Sequence, residues 1–156
     1  MILINAPAKI NKFKRPAVFL AGSIEMGKAE EWQVRVEREL QAYPITIFNP
    51  RRKTSDFNWN TNLDNKNFFE QVSWEFKALS ASDYIIMYFD PRSKSPISLL
   101  ELGLFARSQK MFCCCPPKFW RRGNVEFICR QFKIPFFSDL DELLLKFKRK
   151  LPQKSA

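Results

Sequence analysis

The sequence predicts an α/β fold: a doubly wound, flavodoxin- or Rossmann-like parallel sheet of five strands with helices on both faces. Three observations predict it. Short continuous apolar runs, of the kind that buried parallel strands need, end at Gly, Pro or polar loops. Longer segments between them carry apolar residues at helical spacing. Strand and helix alternate five times along the chain, which calls for a parallel sheet with right-handed crossovers.

Residues 1–15 read as a basic leader, 16–150 as one domain and 151–156 as a basic tail. Ala17-Val18-Phe19-Leu20-Ala21 is the first strand, ended by Gly22. The segment 28–42 is an amphipathic helix with Ala29, Trp32, Val36 and Leu40 on one face, broken by Pro44. Ile45-Thr46-Ile47-Phe48 is the second strand, stopped by Asn49-Pro50, and 51–61 is a polar loop containing Trp59. A helix over about 64–81 carries Phe68, Phe69, Val72, Phe76 and Leu79 as its apolar stripe. Tyr84-Ile85-Ile86-Met87-Tyr88-Phe89 is the third strand. The loop 90–95 enters a helix over about 96–109. Pro96 suits its first position, where an N–H is unpaired anyway, and the Ser95 hydroxyl suits the N-cap. The fourth strand is 111–115, ended by Pro116-Pro117. A short helix over 124–132, a strand at Ile134-Pro135-Phe136-Phe137 and a helix over 139–149, capped by Ser138 or Asp139, complete the chain.

With 156 residues, 46% of them hydrophobic and 27% charged, the chain is long and apolar enough for one packed domain. No apolar run nears the ~20 residues of a membrane span. The opening Met1-Ile2-Leu3-Ile4 is too short for a signal-peptide core. A soluble, cytoplasmic protein without membrane contact is expected. The net charge of +10 suggests nucleic acid, but its distribution argues against that partner. Nine basic residues and no acid lie in 1–16 and 143–156, so the body between is nearly neutral. Cys113, Cys114, Cys115 and Cys129 offer no C-x-x-C pair; they read as small, reduced residues of a core strand. The chain has no His, which excludes Ser-His-Asp and Cys-His catalysis and any His-ligated metal. No metal or other cofactor is expected, and acid–base work falls to carboxylates, Tyr, Lys or water.

In a doubly wound sheet, ligands sit at the carboxyl ends of the strands, at the switch point between the first and third. The loops there are 22–27 and 90–95. Glu101 stands out in the helix that follows, flanked by Leu99-Leu100 and Leu102. A carboxylate among apolar groups is costly unless paired, and its pKa rises. Periodicity alone fits an exposed stripe equally well. Gly103 permits a close approach of backbone or ligand. The turn Ala21-Gly22-Ser23-Ile24 offers backbone N–H groups to an anion or a sugar hydroxyl, although a plain tight turn has the same sequence. Glu75 is a second carboxylate on the inward side of its helix, with a surface ion pair as the competing reading.

Three segments in this order carry a resemblance: Phe19-Leu20-Ala21-Gly22-Ser23-Ile24; Trp74-Glu75 with Ser82-Asp83-Tyr84-Ile85-Ile86; and Ser95 through Leu99-Leu100-Glu101-Leu102-Gly103 to Ala106. Together they resemble the nucleoside 2-deoxyribosyltransferase superfamily, in its nucleoside 2-deoxyribosyltransferase-like branch, over roughly residues 17–145. The superfamily also holds 2′-deoxynucleoside 5′-phosphate N-hydrolases. The resemblance implies an enzyme of the N-glycosidic bond. Glu101 matches the nucleophile that attacks C1′ of the sugar. Glu75 matches the carboxylate that meets the leaving base, an Asp in relatives and so one methylene longer here. Phe19, Gly22, Ser23, Ile24, Asp90 and Ser95 fall on the substrate-binding positions. Asn124, in Arg121-Arg122-Gly123-Asn124-Val125, matches a residue that the family borrows from a neighbouring subunit; a helix N-cap is its competing reading. A homodimer or larger assembly is implied as well.

Two features bear on the substrate. Ser95 stands where transferases carry a sugar-binding Asp and the phosphate hydrolases a Ser. Glu25 and Phe19 replace the Arg and the aromatic hydroxyl of those hydrolases, and Arg51, Arg52 and Lys94 are the cations that compensate if a phosphate binds. The expected partner is a nucleoside or nucleotide, with base exchange or hydrolysis as the reaction. The competing classes are a nucleotide-sensing module without catalysis and a nucleic-acid binder using the basic tails.

Overall fold

The computed structural model describes residues 1–24, 31–52 and 59–152. Its strands are β1 (Ile2–Asn5), β2 (Ala17–Gly22), β3 (Thr46–Asn49), β4 (Tyr84–Tyr88), β5 (Met111–Cys114) and β6 (Phe136–Phe137). The helices are α1 (Trp32–Leu40), α2 (Lys66–Ala81), α3 (Pro96–Phe105), α4 (Arg122–Gln131) and α5 (Leu140–Lys148). All strand pairs are parallel, in the order β1-β3-β2-β4-β5-β6. The sheet therefore has six strands, not five. The additional one, β1, lies within the basic leader and pairs with β3 from Ile2↔Thr46 to Asn5↔Asn49. The other five keep the flavodoxin-like order, with the switch point between β2 and β4.

Alternation along the strands divides the core in two. Phe19, Ala21, Ile85, Met87, Cys113 and Cys115 pack on one face with Trp74 and Ala78 of α2, Leu102 of α3, and Val125 and Cys129 of α4. Val18, Leu20, Ile86, Tyr88, Phe112 and Cys114 pack on the other with α1 and α5. The cysteine run thus behaves as a strand, alternate residues facing opposite layers, and all four thiols are free and buried. Burial pushes the Cys114 and Cys115 thiols up to about 12.

Side-chain caps form at two helices, and two others depart from the caps that the sequence suggests. Asn65 accepts from the Phe68 N–H at the start of α2, and Asp139, not Ser138, accepts from the N–H groups of Asp141 and Glu142 at α5. Ser95 does not cap α3 with its hydroxyl; its backbone is left-handed (φ 48°, ψ 50°). Helix α4 starts two residues earlier than expected, which puts Asn124 inside the helix with Arg121 at the N-cap. The expected helix start at 28–30, with Ala29, and Glu25 of the first turn lie outside the described residues.

Candidate functional site

The switch point holds a cavity of about 400 Å³ between β2, α2 and α3, within the ~300–1,000 Å³ of small-molecule sites. Its floor is the end of β2. Gly22 has φ 138°, and a Cβ there would lie 2.2 Å from the Tyr88 carbonyl oxygen of β4, so only glycine lets the two strands meet at this point. The Ser23 N–H donates to that same oxygen at 3.0 Å. The Ser23 carbonyl accepts from the Trp32 indole N–H at 3.1 Å, which ties the turn to α1.

A chain of buried hydroxyls joins the two loops. Ser23 Oγ lies 2.5 Å from Ser95 Oγ, which lies 2.5 Å from Ser93 Oγ, and the Asp90 N–H donates to Ser23 Oγ at 2.8 Å. This network explains the Ser95 backbone. A left-handed residue other than glycine is strained, and here the conformation delivers the hydroxyl to Ser23 rather than to the helix end.

Two helices supply the carboxylates. Phe68, Gln71, Val72 and Glu75 recur at helical spacing on α2 and form one wall. Ile97, Ser98 and Glu101 do the same on α3. Helix α3 inverts the usual amphipathic rule: Ile97, Leu100 and Leu104 are exposed, whereas Glu101 is half-buried against the cavity. The exposed-stripe reading of Glu101 is thereby replaced by a wall position. Its carboxyl makes no hydrogen bond or ion pair with any described residue. Burial, and secondarily the charge of Glu75, push it up to about 8. Glu75 is raised too, by burial, against the opposing pull of a 2.8 Å hydrogen bond from Gln71 Nε2 and the charge of Arg52.

Of the residues singled out from sequence, Phe19, Gly22, Ser23, Ile24, Glu75, Ser95 and Glu101 line this one cavity. Asp90 does not line it; its carboxylate is buried and clamped by Arg92 through hydrogen bonds of 2.8, 3.0 and 2.8 Å. Asn124 lines a second cavity, about 300 Å³, between α3 and α4 with Leu99, Gly103 and Arg121. Gly103 meets no close neighbour: a Cβ there would have nothing within 4 Å. Arg51, Arg52 and Lys94 are not among the described lining residues. Arg51 instead reaches Gln33 and Arg52 reaches Gln71 and Glu70. Sequence reasoning passed over Gln71, Ser93, Ser98, Thr61 and the functional place of Trp59. Only the helical spacing of Gln71 ahead of Glu75 carried a signal for any of them.

A paired, half-buried set of carboxylates in an apolar pocket suits a reaction that develops positive charge, with one group as nucleophile or base and the other as acid. No curated protein matches the chain. The family model described as nucleoside 2-deoxyribosyltransferase like matches residues 15–119, which include β2, both carboxylates and the hydroxyl network. On that match, which spans well over half of its length, the chain belongs to the nucleoside 2-deoxyribosyltransferase-like family.

Proposed function

We propose that the chain is an enzyme that cleaves the N-glycosidic bond of a (deoxy)nucleoside or nucleotide, with Glu101 as nucleophile. The observation that carries this reading is the Glu101 carboxyl: on the cavity wall, without a partner among the described residues, and opposite no described cation. A Glu101 oxygen forms a bond to C1′ while the C1′–N bond breaks and its electron pair leaves with the base. The sugar passes through an oxocarbenium-like state that the carboxylate charge stabilises. Glu75 gives its proton to the departing base. Water or the nitrogen of a second base then attacks C1′, the ester bond breaks, and its electron pair restores the Glu101 carboxylate. The incoming nucleophile returns its proton to Glu75.

Burial raises both carboxyls, and the charge of Glu75 adds to the rise of Glu101 to about 8. The reacting state needs one proton on the pair, carried by Glu75. The Ser23–Ser95–Ser93 hydroxyls lie at the sugar end of the reading, where they suit a 5′-hydroxyl or a phosphate oxygen. The proposal extends to self-association, with a second copy covering the apolar surface of α2 and α3 and bringing its own polar residue to the cavity.

The test is incubation of the protein with a panel of deoxynucleosides and their 5′-phosphates, with and without a free acceptor base, followed by chromatography. Free base without acceptor assigns hydrolysis, and a new nucleoside formed only with acceptor assigns transfer. Silence across the panel contradicts the reading and leaves the pocket to a module that binds nucleotides without cleaving them.

A further inference from the structure

Gln71 sits one helical turn before Glu75 and uses every polar atom of its side chain. Its Nε2 donates to the Pro50 carbonyl at 2.9 Å and to Glu75 Oε1 at 2.8 Å, and its Oε1 accepts from Arg52 Nε at 2.6 Å. The three partners leave one amide orientation. Flipped, the amide oxygen would face a carbonyl and a carboxylate, and the NH₂ would face the guanidinium. Arg52 is itself fixed: it donates to Glu70 at 2.9 Å, and its guanidinium lies 4.7 Å from the centre of the Trp59 ring, which lines the cavity. A guanidinium on the amide oxygen polarises the amide and strengthens what its N–H donates onward.

We propose that Gln71 is a positioning residue for the reaction, holding Glu75 toward the cavity and, with Arg52 behind it, stabilising the Glu75 carboxylate so that Glu75 parts readily with its proton. This rests on the reading of Glu75 as the group that meets the leaving base. An acid whose anion is stabilised by a fixed donor is the better donor of its own proton. The direction of the Glu75 shift agrees, since the Gln71 hydrogen bond opposes the effect of burial. Among the described residues, few charged groups face the pair. Arg52 stands behind Gln71, Glu70 neutralises Arg52 from α2, and α3 presents Glu101. Phe19, Ala21, Gly22 and Ser23 of the β2 side carry no ionisable group.

The experiment follows the side-chain carboxyl signals of the full, unliganded chain by ¹³C NMR as pH is raised, with the Glu75 and Glu101 signals assigned from Glu75→Gln and Glu101→Gln. In Gln71→Met, of similar length but without a donor, the Glu75 titration moves up by about one pH unit. Arg52→Gln, which keeps Gln71, moves it in the same direction by less and serves if Gln71→Met does not fold. A Glu75 titration unchanged in both variants overturns the proposal. The readout needs no substrate, so it stands or falls separately from turnover: silence in the nucleoside panel with a shifted titration removes the reaction but keeps the positioning, and turnover with an unshifted titration does the reverse.

Discussion

One apolar cavity buries Glu101 and Glu75, and the charge of Glu75 adds to the effect of burial in raising Glu101 to about 8. The rate consequence has a definite sign. On the proposed scheme, with both groups protonated Glu101 would be a poor nucleophile, and with both ionised no proton would await the base. The pH profile of kcat/KM for the parent is expected to be bell-shaped, with its descending limb near 8. In Glu75→Gln the rate falls by about 10²–10⁴-fold, the cost of a lost general acid. Its pH profile also changes form. Without the Glu75 charge Glu101 ionises at lower pH, and the residual rate rises to a plateau with no descending limb. A bell that survives in Glu75→Gln contradicts the assignment. Glu101 was legible only in part: a lone carboxylate inside Leu99-Leu100 and Leu102 conflicts with its surroundings, but its spacing fits an exposed stripe equally well. Gln71 was not. A glutamine is an ordinary residue on a helix, and its partners Pro50 and Arg52 meet it only through the fold.

At the scale of elements, the meeting of β2 and β4 decides where the cavity lies. These strands pair from Val18↔Tyr84 to Gly22↔Tyr88, and beyond that register the chain turns into Ser23. Gly22→Ala places a methyl group against the Tyr88 backbone at a positive φ. The expected cost is about 2–4 kcal/mol, and the hydroxyl network shifts with the strand end. Thermal denaturation should show a Tm lower by roughly 5–15 °C, with substrate affinity falling as well. A variant as stable as the parent would show that β2 and β4 separate there without strain. The strands of this centre were readable from their apolar runs. Ser95 shows the limit of local rules, since its cap signal in Ser-Pro was overridden by hydroxyls that lie close only once β2 and β4 are side by side. Strand β1 escaped for a related reason: Ile2-Leu3-Ile4 is short, and the chain between it and β2 carries no helix to complete a strand–helix unit.

Seen whole, the described residues leave apolar side chains of α2 and α3 uncovered beside the cavity. Phe69 and Phe76 of α2 and Ile97, Leu100 and Leu104 of α3 are each more than half exposed, and Phe76 lies 6.5 Å from Phe105, which bridges the two helices. A cluster of this kind beside a cavity is the mark of an interface. Sedimentation is expected to find a dimer or larger species for the parent and a monomer for Leu100→Glu; a monomeric parent at micromolar concentration contradicts self-association. Part of the basic leader belongs to the sheet as β1, and Ala6 and Ile10 of the remainder pack into the core, so its cations sit on a segment held against the body. A covalent role for the carboxylate on α3 stands or falls with the turnover rate of Glu101→Ala on the best substrate of the panel. A loss of at least about 10³-fold is expected with the fold and substrate binding retained, whereas a rate within about tenfold of the parent rules that role out.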